Sequence, residues 1–163
     1  MTRFFLSLAV AALLALAGPI PSALAAGGSD TSTAAPAKPK NLDLEKGAAA
    51  IQKQNWGEAI SHLIKAAATE TKNADIQNWL GFAYRKSGNP QKAFEHYTVA
   101  LQLDPKHKGA HEYIGEAYLE TNNLAKAEEH LKKLDDICTF GCQEFRDLRA
   151  AIQAYKKKNN IAS

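Results

Sequence analysis

Apolar and small residues recur at helical spacings along the C-terminal two thirds of the chain, and the pattern itself repeats. Gly47, Gly81 and Gly115 are separated by 34 residues each, as are Ala59, Ala93 and Ala127; Leu63, Tyr97 and Leu131, then Ala66, Ala100 and Leu134, then Ala50, Tyr84 and Tyr118 keep the same frame. Matched columns over three copies predict three similar units, at about 40–73, 74–107 and 108–141. Within a unit, small residues mark where two antiparallel helices approach closely, and larger apolar residues fill the gaps. In the middle copy the first helix is predicted from Ala74 to Lys86, with Leu80, Gly81 and Tyr84 on its packed side, and Ser87-Gly88 breaks it. Asn89 then suits an N-cap, and Pro90 takes the first helical position, where a missing amide hydrogen costs nothing. The second helix runs to about Leu103, where Asp104-Pro105 turns the chain. Asn55, with Glu58 at capping-box spacing, and Asn123 before Leu124 repeat the punctuation.

A further stripe follows the third unit. Phe145, Leu148, Ile152 and Tyr155 recur at spacings of three, four and three, which predicts a closing helix over about 142–157. Such a helix covers the face that the last hairpin of a stack would otherwise expose. The fold class is therefore all-α: an α-solenoid of three helix-turn-helix repeats plus a C-terminal capping helix, over residues 42–158.

The stretch from Asn78 to Pro105, NWLGFAYRKSGNPQKAFEHYTVALQLDP, resembles a tetratricopeptide repeat (TPR) unit, and the resemblance extends over residues 40–141. There are departures. The family usually has an aromatic residue three positions before its Leu-Gly pair, where this chain has Gln77 with Trp79 displaced by two. The first unit has Lys46 where a large apolar residue is usual, and rests mainly on Gly47, Ala59, Leu63 and Ala66. The resemblance implies that the first helices line a concave side that receives a peptide or a partner helix. By that mapping the lining is Leu44, Ala48 and Ile51 in the first repeat, Asn78, Phe82 and Arg85 in the second, and Glu112, Glu116 and Leu119 in the third. One TPR subtype clamps a C-terminal carboxylate with Lys, Asn and Arg side chains. The corresponding places here hold Leu44, Ala48, Trp79, Gly109 and Tyr113, so the clamp is absent, and apolar contact together with Arg85 and the glutamates is expected to read the partner.

The N-terminus has a different grammar. Arg3, the apolar stretch from Phe4 to Ala17, the breakers Gly18, Pro19 and Pro21, and Ala23-Leu24-Ala25 predict a cleavable signal peptide over residues 1–25, cut before Ala26. The apolar run is too short for a bilayer core, which needs about 20 helical residues. Residues 26–41, rich in Ala, Gly, Ser, Thr, Pro and Lys, cannot bury a face and read as a flexible linker. The expected setting is the bacterial periplasm, with no stable membrane insertion after cleavage. Composition agrees with one globular domain: 45% of the 163 residues are apolar. Removing residues 1–25 takes away only Arg3 of the 20 basic residues, which leaves 19 against 17 acidic ones. That near-neutral balance, with basic and acidic residues interspersed, argues against a nucleic-acid partner.

Candidate chemistry is sparse. Cys138 and Cys142 are the only cysteines, and in an oxidising compartment the expectation is a disulfide at the joint between the last hairpin and the capping helix, with Gly141 supplying a left-handed turn. So small a ring contributes about 2 kcal/mol through the unfolded state. His62, His96 and His130 share one column, which repeat inheritance explains. His107 and His111 have i, i+4 spacing, but His107 precedes the first helical turn, and surface polar residues are the better reading than a metal site. Glu112, Glu116 and Glu120 step by four as one exposed face. No catalytic constellation and no cofactor motif is present in the sequence. The expected function is a non-catalytic adaptor or scaffold whose partner is another protein or peptide; the alternative is a periplasmic redox or metal-handling accessory using Cys138, Cys142 and the histidines.

Overall fold

The structure, a computed structural model, describes residues 40–162. The expected signal peptide, and all of the expected linker except Lys40 and Asn41, lie outside them. The described residues form seven α-helices: α1 (Leu42–Gln52), α2 (Trp56–Thr69), α3 (Ala74–Lys86), α4 (Pro90–Leu103), α5 (Lys108–Glu120), α6 (Leu124–Ile137) and α7 (Gln143–Lys158). The pairs α1–α2, α3–α4 and α5–α6 are the three hairpins. Packing of α1 on α3, α3 on α5 and α5 on α7 makes one layer of first helices, and α2, α4 and α6 make the other. The two helices expected in the middle repeat have the bounds predicted for them.

Helix starts follow side-chain chemistry. The orphan amides of the first turn need acceptors, and Asn supplies them: Asn41 accepts from Leu44 N, Asn55 from Glu58 N, Asn73 from Asp75 N and Ile76 N, Asn89 from Lys92 N and Asn123 from Lys126 N. At Asn55 the reciprocal bond differs from a capping box, because Glu58 Oε2 accepts from the Asn55 side-chain amide at 2.8 Å. The turn inside each hairpin is built three times over. Gln54, Gly88 and Asn122, again 34 apart, all have left-handed backbone, with φ of 57°, 82° and 60°. Each donates to a carbonyl three residues back (Ile51, Arg85, Leu119), and the following Asn donates to one five back (Ala50, Tyr84, Tyr118). This paired closure ends a helix and reverses the chain. Only Gly88 meets the left-handed requirement without steric cost.

Close approach of the paired helices is visible at the glycine column. A Cβ on Gly81 would stand 2.5 Å from Cδ1 and Cε1 of Tyr97, and one on Gly47 would stand 2.8 Å from Leu63 Cγ. The third repeat departs from this arrangement. The atoms nearest to Gly115 belong to Leu148 of α7, at 2.7 Å from such a Cβ, rather than to Leu131, the column equivalent of Leu63 and Tyr97. Helix α7 thus docks on the slot that the repeat provides. Leu148 and Ile152 are buried, with Phe145 and Tyr155 half-buried beside them, as the stripe predicts.

Cys138 caps the end of α6 and Cys142 the start of α7; they are joined as a disulfide with Cα atoms 5.6 Å apart, and Gly141 between them has φ 75°. The bridge therefore ties the docking helix to the last hairpin, as the sequence suggested.

The glycine contact is directly testable. Gly81→Ala should destabilise by about 1–3 kcal/mol through overpacking against Tyr97. Gly57→Ala, at a helical site with nothing within 4 Å of the added carbon, should stabilise by about 0.5–1 kcal/mol. Urea midpoints of the two variants check both signs.

Candidate partner-binding face

The nine residues expected on the concave side form three columns on α1, α3 and α5, and the structure groups them unevenly. Leu44, Ala48, Phe82 and Glu116 are half-buried, whereas Ile51, Asn78, Arg85, Glu112 and Leu119 are buried. Phe82, Arg85 and Glu116 meet. Phe82 lies 5.0 Å from Tyr113, 6.1 Å from Trp56 and 6.3 Å from Trp79, measured between ring centroids. The Arg85 guanidinium sits over Phe82 at 5.6 Å and over Tyr113 at 5.8 Å. Its Nη2 donates to Glu116 Oε2 at 2.7 Å and its Nη1 to Glu120 Oε1 at 2.6 Å. With its side chain 2% exposed, Arg85 braces α3 against α5 and has no free terminal nitrogen to offer. Leu44 packs instead into the first core cluster. Ile51 shares a recess of about 360 Å³ with Trp56, Phe82 and Lys86, and Leu119 shares one of about 310 Å³ with Tyr155 and Lys158.

The aromatic group was only half visible in the sequence. Trp79 and Tyr113 occupy one repeat column and were noted there as places where a carboxylate clamp is missing. In the fold they supply flat apolar surface beside Phe82. Trp56 follows the Asn55 cap, and no pattern within the repeat marks it.

The glutamates differ from expectation. Glu112, Glu116 and Glu120 are not one solvated stripe: Glu112 is 9% exposed, Glu116 is half-buried on Arg85, and Glu120 is exposed. The reason is α7, which lies along α5 and brings Glu144 and Asp147 close to Glu112. Burial, and then the like charges of Glu116, Asp147 and Glu144, push the Glu112 carboxyl up to about 7, against the pull of Arg85. Glu112 makes no hydrogen bond or ion pair among the described residues. Three sealed atoms there also lack a partner: Asn78 Oδ1, Arg85 Nε and Tyr97 Oη.

The histidine column carries one recurring bond. His62 Nδ1 meets Asp43 Oδ1 at 2.7 Å, His96 Nδ1 meets Gln77 Oε1 at 2.8 Å, and His130 Nδ1 meets His111 Nδ1 at 2.9 Å. Each ties the first helix of a repeat to its second. His111 was expected at the surface, but it is 6% exposed. Its Nε2 donates to the Pro105 carbonyl at 3.1 Å, so its Nδ1 accepts from His130, and both rings are neutral. Burial, and then the neighbouring His111, press His130 down to about 4. His107 caps α5 by accepting from Ala110 N, and its Nε2 faces Asp75 Oδ1 at 3.0 Å, so His107 and His111 do not converge.

Stacked helical hairpins closed by a docking helix define an α-solenoid. Two sequence profiles of the tetratricopeptide repeat family match, over residues 44–108 and 84–152, and together they span more than half of the chain. The chain belongs to the tetratricopeptide repeat family. No curated protein matches it in sequence. Similar solved structures include the Sgt2 TPR domain from Aspergillus fumigatus, with TM-score 0.65 and 23% identity, covering 76% of this chain and 81% of that one. The Arabidopsis OM64 TPR domain has TM-score 0.65 and 20% identity, covering 72% and 93%. The second TPR domain of human RPAP3, in complex with the HSP70 peptide SGPTIEEVD, has TM-score 0.60 and 19% identity, covering 67% and 91%.

A buried carboxyl raised in this way prefers its protonated form in the folded state. It contributes most below its unfolded value of about 4.5 and loses that contribution as pH rises through about 7. Glu112→Gln should therefore gain stability over the parent across that window, reaching about 1–2 kcal/mol at pH 8 after allowing for solvent screening. Thermal melts of both proteins at pH 5 and pH 8 give the comparison.

Proposed function

We propose that the chain is an exported, non-catalytic adaptor that holds a peptide or helix of another protein against its first-helix layer. The observation that carries this reading is the aromatic group of Trp56, Trp79, Phe82 and Tyr113. It is half-buried, and Arg85, paired with Glu116 and Glu120, lies over Phe82 and Tyr113. Such a surface offers contact area at little entropic cost, as binding hot spots require. The peptide complex of the human RPAP3 domain supports peptide binding by this fold. The side chains differ, because two rings of the patch, Trp79 and Tyr113, stand at two of the five places of the carboxylate clamp, and Leu44, Ala48 and Gly109 stand at the others.

Phe82→Ala tests the face. With helicity unchanged by circular dichroism, capture of protein partners from an extract of the native cell envelope should fall about tenfold or more. Lys132→Ala, at an exposed site on the second-helix layer, should leave capture unchanged. Equal capture by Phe82→Ala and the parent would remove this face from the reading.

Export is supported by the grammar of residues 1–25 and by the Cys138–Cys142 bridge, which suits an oxidising compartment. Intact mass of the protein from its native host should correspond to a chain starting at Ala26 and lacking two hydrogens. A mass that includes Met1, or two titratable thiols under denaturing conditions, would count against periplasmic placement.

A further inference from the structure

The acidic C-terminal end of the first-helix layer holds a buried carboxyl without a counter-ion, and a buried amide oxygen without a donor lies one helix away. Asn78 is 6% exposed, and its Oδ1 is sealed without a donor. Glu112 stands one repeat further on, in the same column of the neighbouring helix, is 9% exposed, and pairs with nothing among the described residues. Asn78 packs on α5: its Nδ2 lies 3.2 Å from where a Cβ on Gly109 would stand, one turn before Glu112. Around Glu112 stand Glu116 from its own helix and Glu144 and Asp147 from α7. The one cation in reach, Arg85, spends both terminal nitrogens on Glu116 and Glu120. A buried carboxyl without a counter-ion, with further carboxylates around it, forms a site that lacks a cation.

Resting on the adaptor reading above, we propose that this end of the layer receives a Lys or Arg side chain of the bound segment on Glu112. Tyr113 neighbours Glu112 and lies 5.0 Å from Phe82, so its ring can cover the aliphatic stem of such a residue. Glu144 and Asp147 form the acidic rim of this end. The bound segment is thus apolar with a basic residue at its C-terminal-repeat end, opposite in charge to the SGPTIEEVD peptide of the human RPAP3 domain.

The titratable groups acting on Glu112 are Tyr113 and Glu116 on α5, Arg85 on α3, and Glu144 and Asp147 on α7. Because the Glu112 carboxyl is pushed up to about 7, it is mostly neutral at pH 6 and mostly ionised at pH 8. Affinity for a cationic peptide should therefore strengthen by up to about tenfold over that range.

The probe is a set of peptides selected from a random displayed library on the purified, disulfide-bonded protein, then measured by fluorescence anisotropy. Selected sequences should be enriched in Lys or Arg beside apolar residues. Replacing that basic residue by norleucine should weaken binding about tenfold, Glu112→Gln should do the same, and the two changes together should cost no more than either alone. The strengthening from pH 6 to pH 8 should vanish in Glu112→Gln. Peptides without a basic residue, or a norleucine effect independent of Glu112→Gln, would overturn the proposal; loss of those same peptides with Phe82→Ala would leave the adaptor reading standing. Peptides indifferent to Phe82→Ala, or no enrichment at all, would count against both.

Discussion

The close approach of paired helices at the glycine column is the constraint on which the rest of the molecule depends. Only a residue without a side chain lets the Tyr97 ring lie against α3 at Gly81. That approach seals Tyr97 completely, and burial pushes its hydroxyl well above its usual range against the pull of Arg85. Arg85 in turn is fixed between the core and the face: its cation bears on Tyr97 from one side, while its outer nitrogens grip Glu116 and Glu120 and its plane covers Phe82 and Tyr113. Helix packing, one buried cation and the aromatic face are successive consequences of one contact.

The same slot explains how the stack ends. In the third repeat Leu148 of α7 fills the space beside Gly115, so the capping helix is held by the device that holds a hairpin together. The disulfide restrains the connection between α6 and α7. Docking α7 along α5 has an electrostatic cost, because it places Glu144 and Asp147 near Glu112 while covering that residue. Glu144 lies in the first turn of α7, where the helix dipole favours an acid, and Asp147 accepts from Gln143, so both acids serve α7 while Glu112 bears the cost.

Much of the fold was legible because a repeat multiplies weak signals: five columns at a spacing of 34, three Asn caps and one stripe gave helix bounds that the structure keeps. The left-handed column was less legible, since Gly88 announces its turn but Gln54 does not. The face was read only in part. Periodicity tells which side of a helix a residue occupies, and stops short of what covers that side. Glu112, Glu116 and Glu120 step by four in either case; only the packing of α7, a helix outside the repeat, separates the buried Glu112 from the exposed Glu120. His111 escaped for a related reason, because its partner His130 belongs to a column whose other members meet Asp43 and Gln77, and nothing in the spacing distinguishes a surface polar pair from a buried imidazole pair.

These features give the first-helix layer a direction. Its middle is aromatic, from Trp56 on α2 through Trp79 and Phe82 on α3 to Tyr113 on α5, and its far end is acidic, on α5 and α7. Arg85 stands at the boundary and neutralises Glu116 and Glu120, which leaves Glu112 as the carboxyl of α5 without a counter-ion. On the proposed reading, a surface graded in this way would discriminate by orientation as well as by composition: a reversed segment would place its apolar part on carboxylates and its charge on rings. The repeat supplies the layer, and the interruption of repeat symmetry by α7 supplies its polarity.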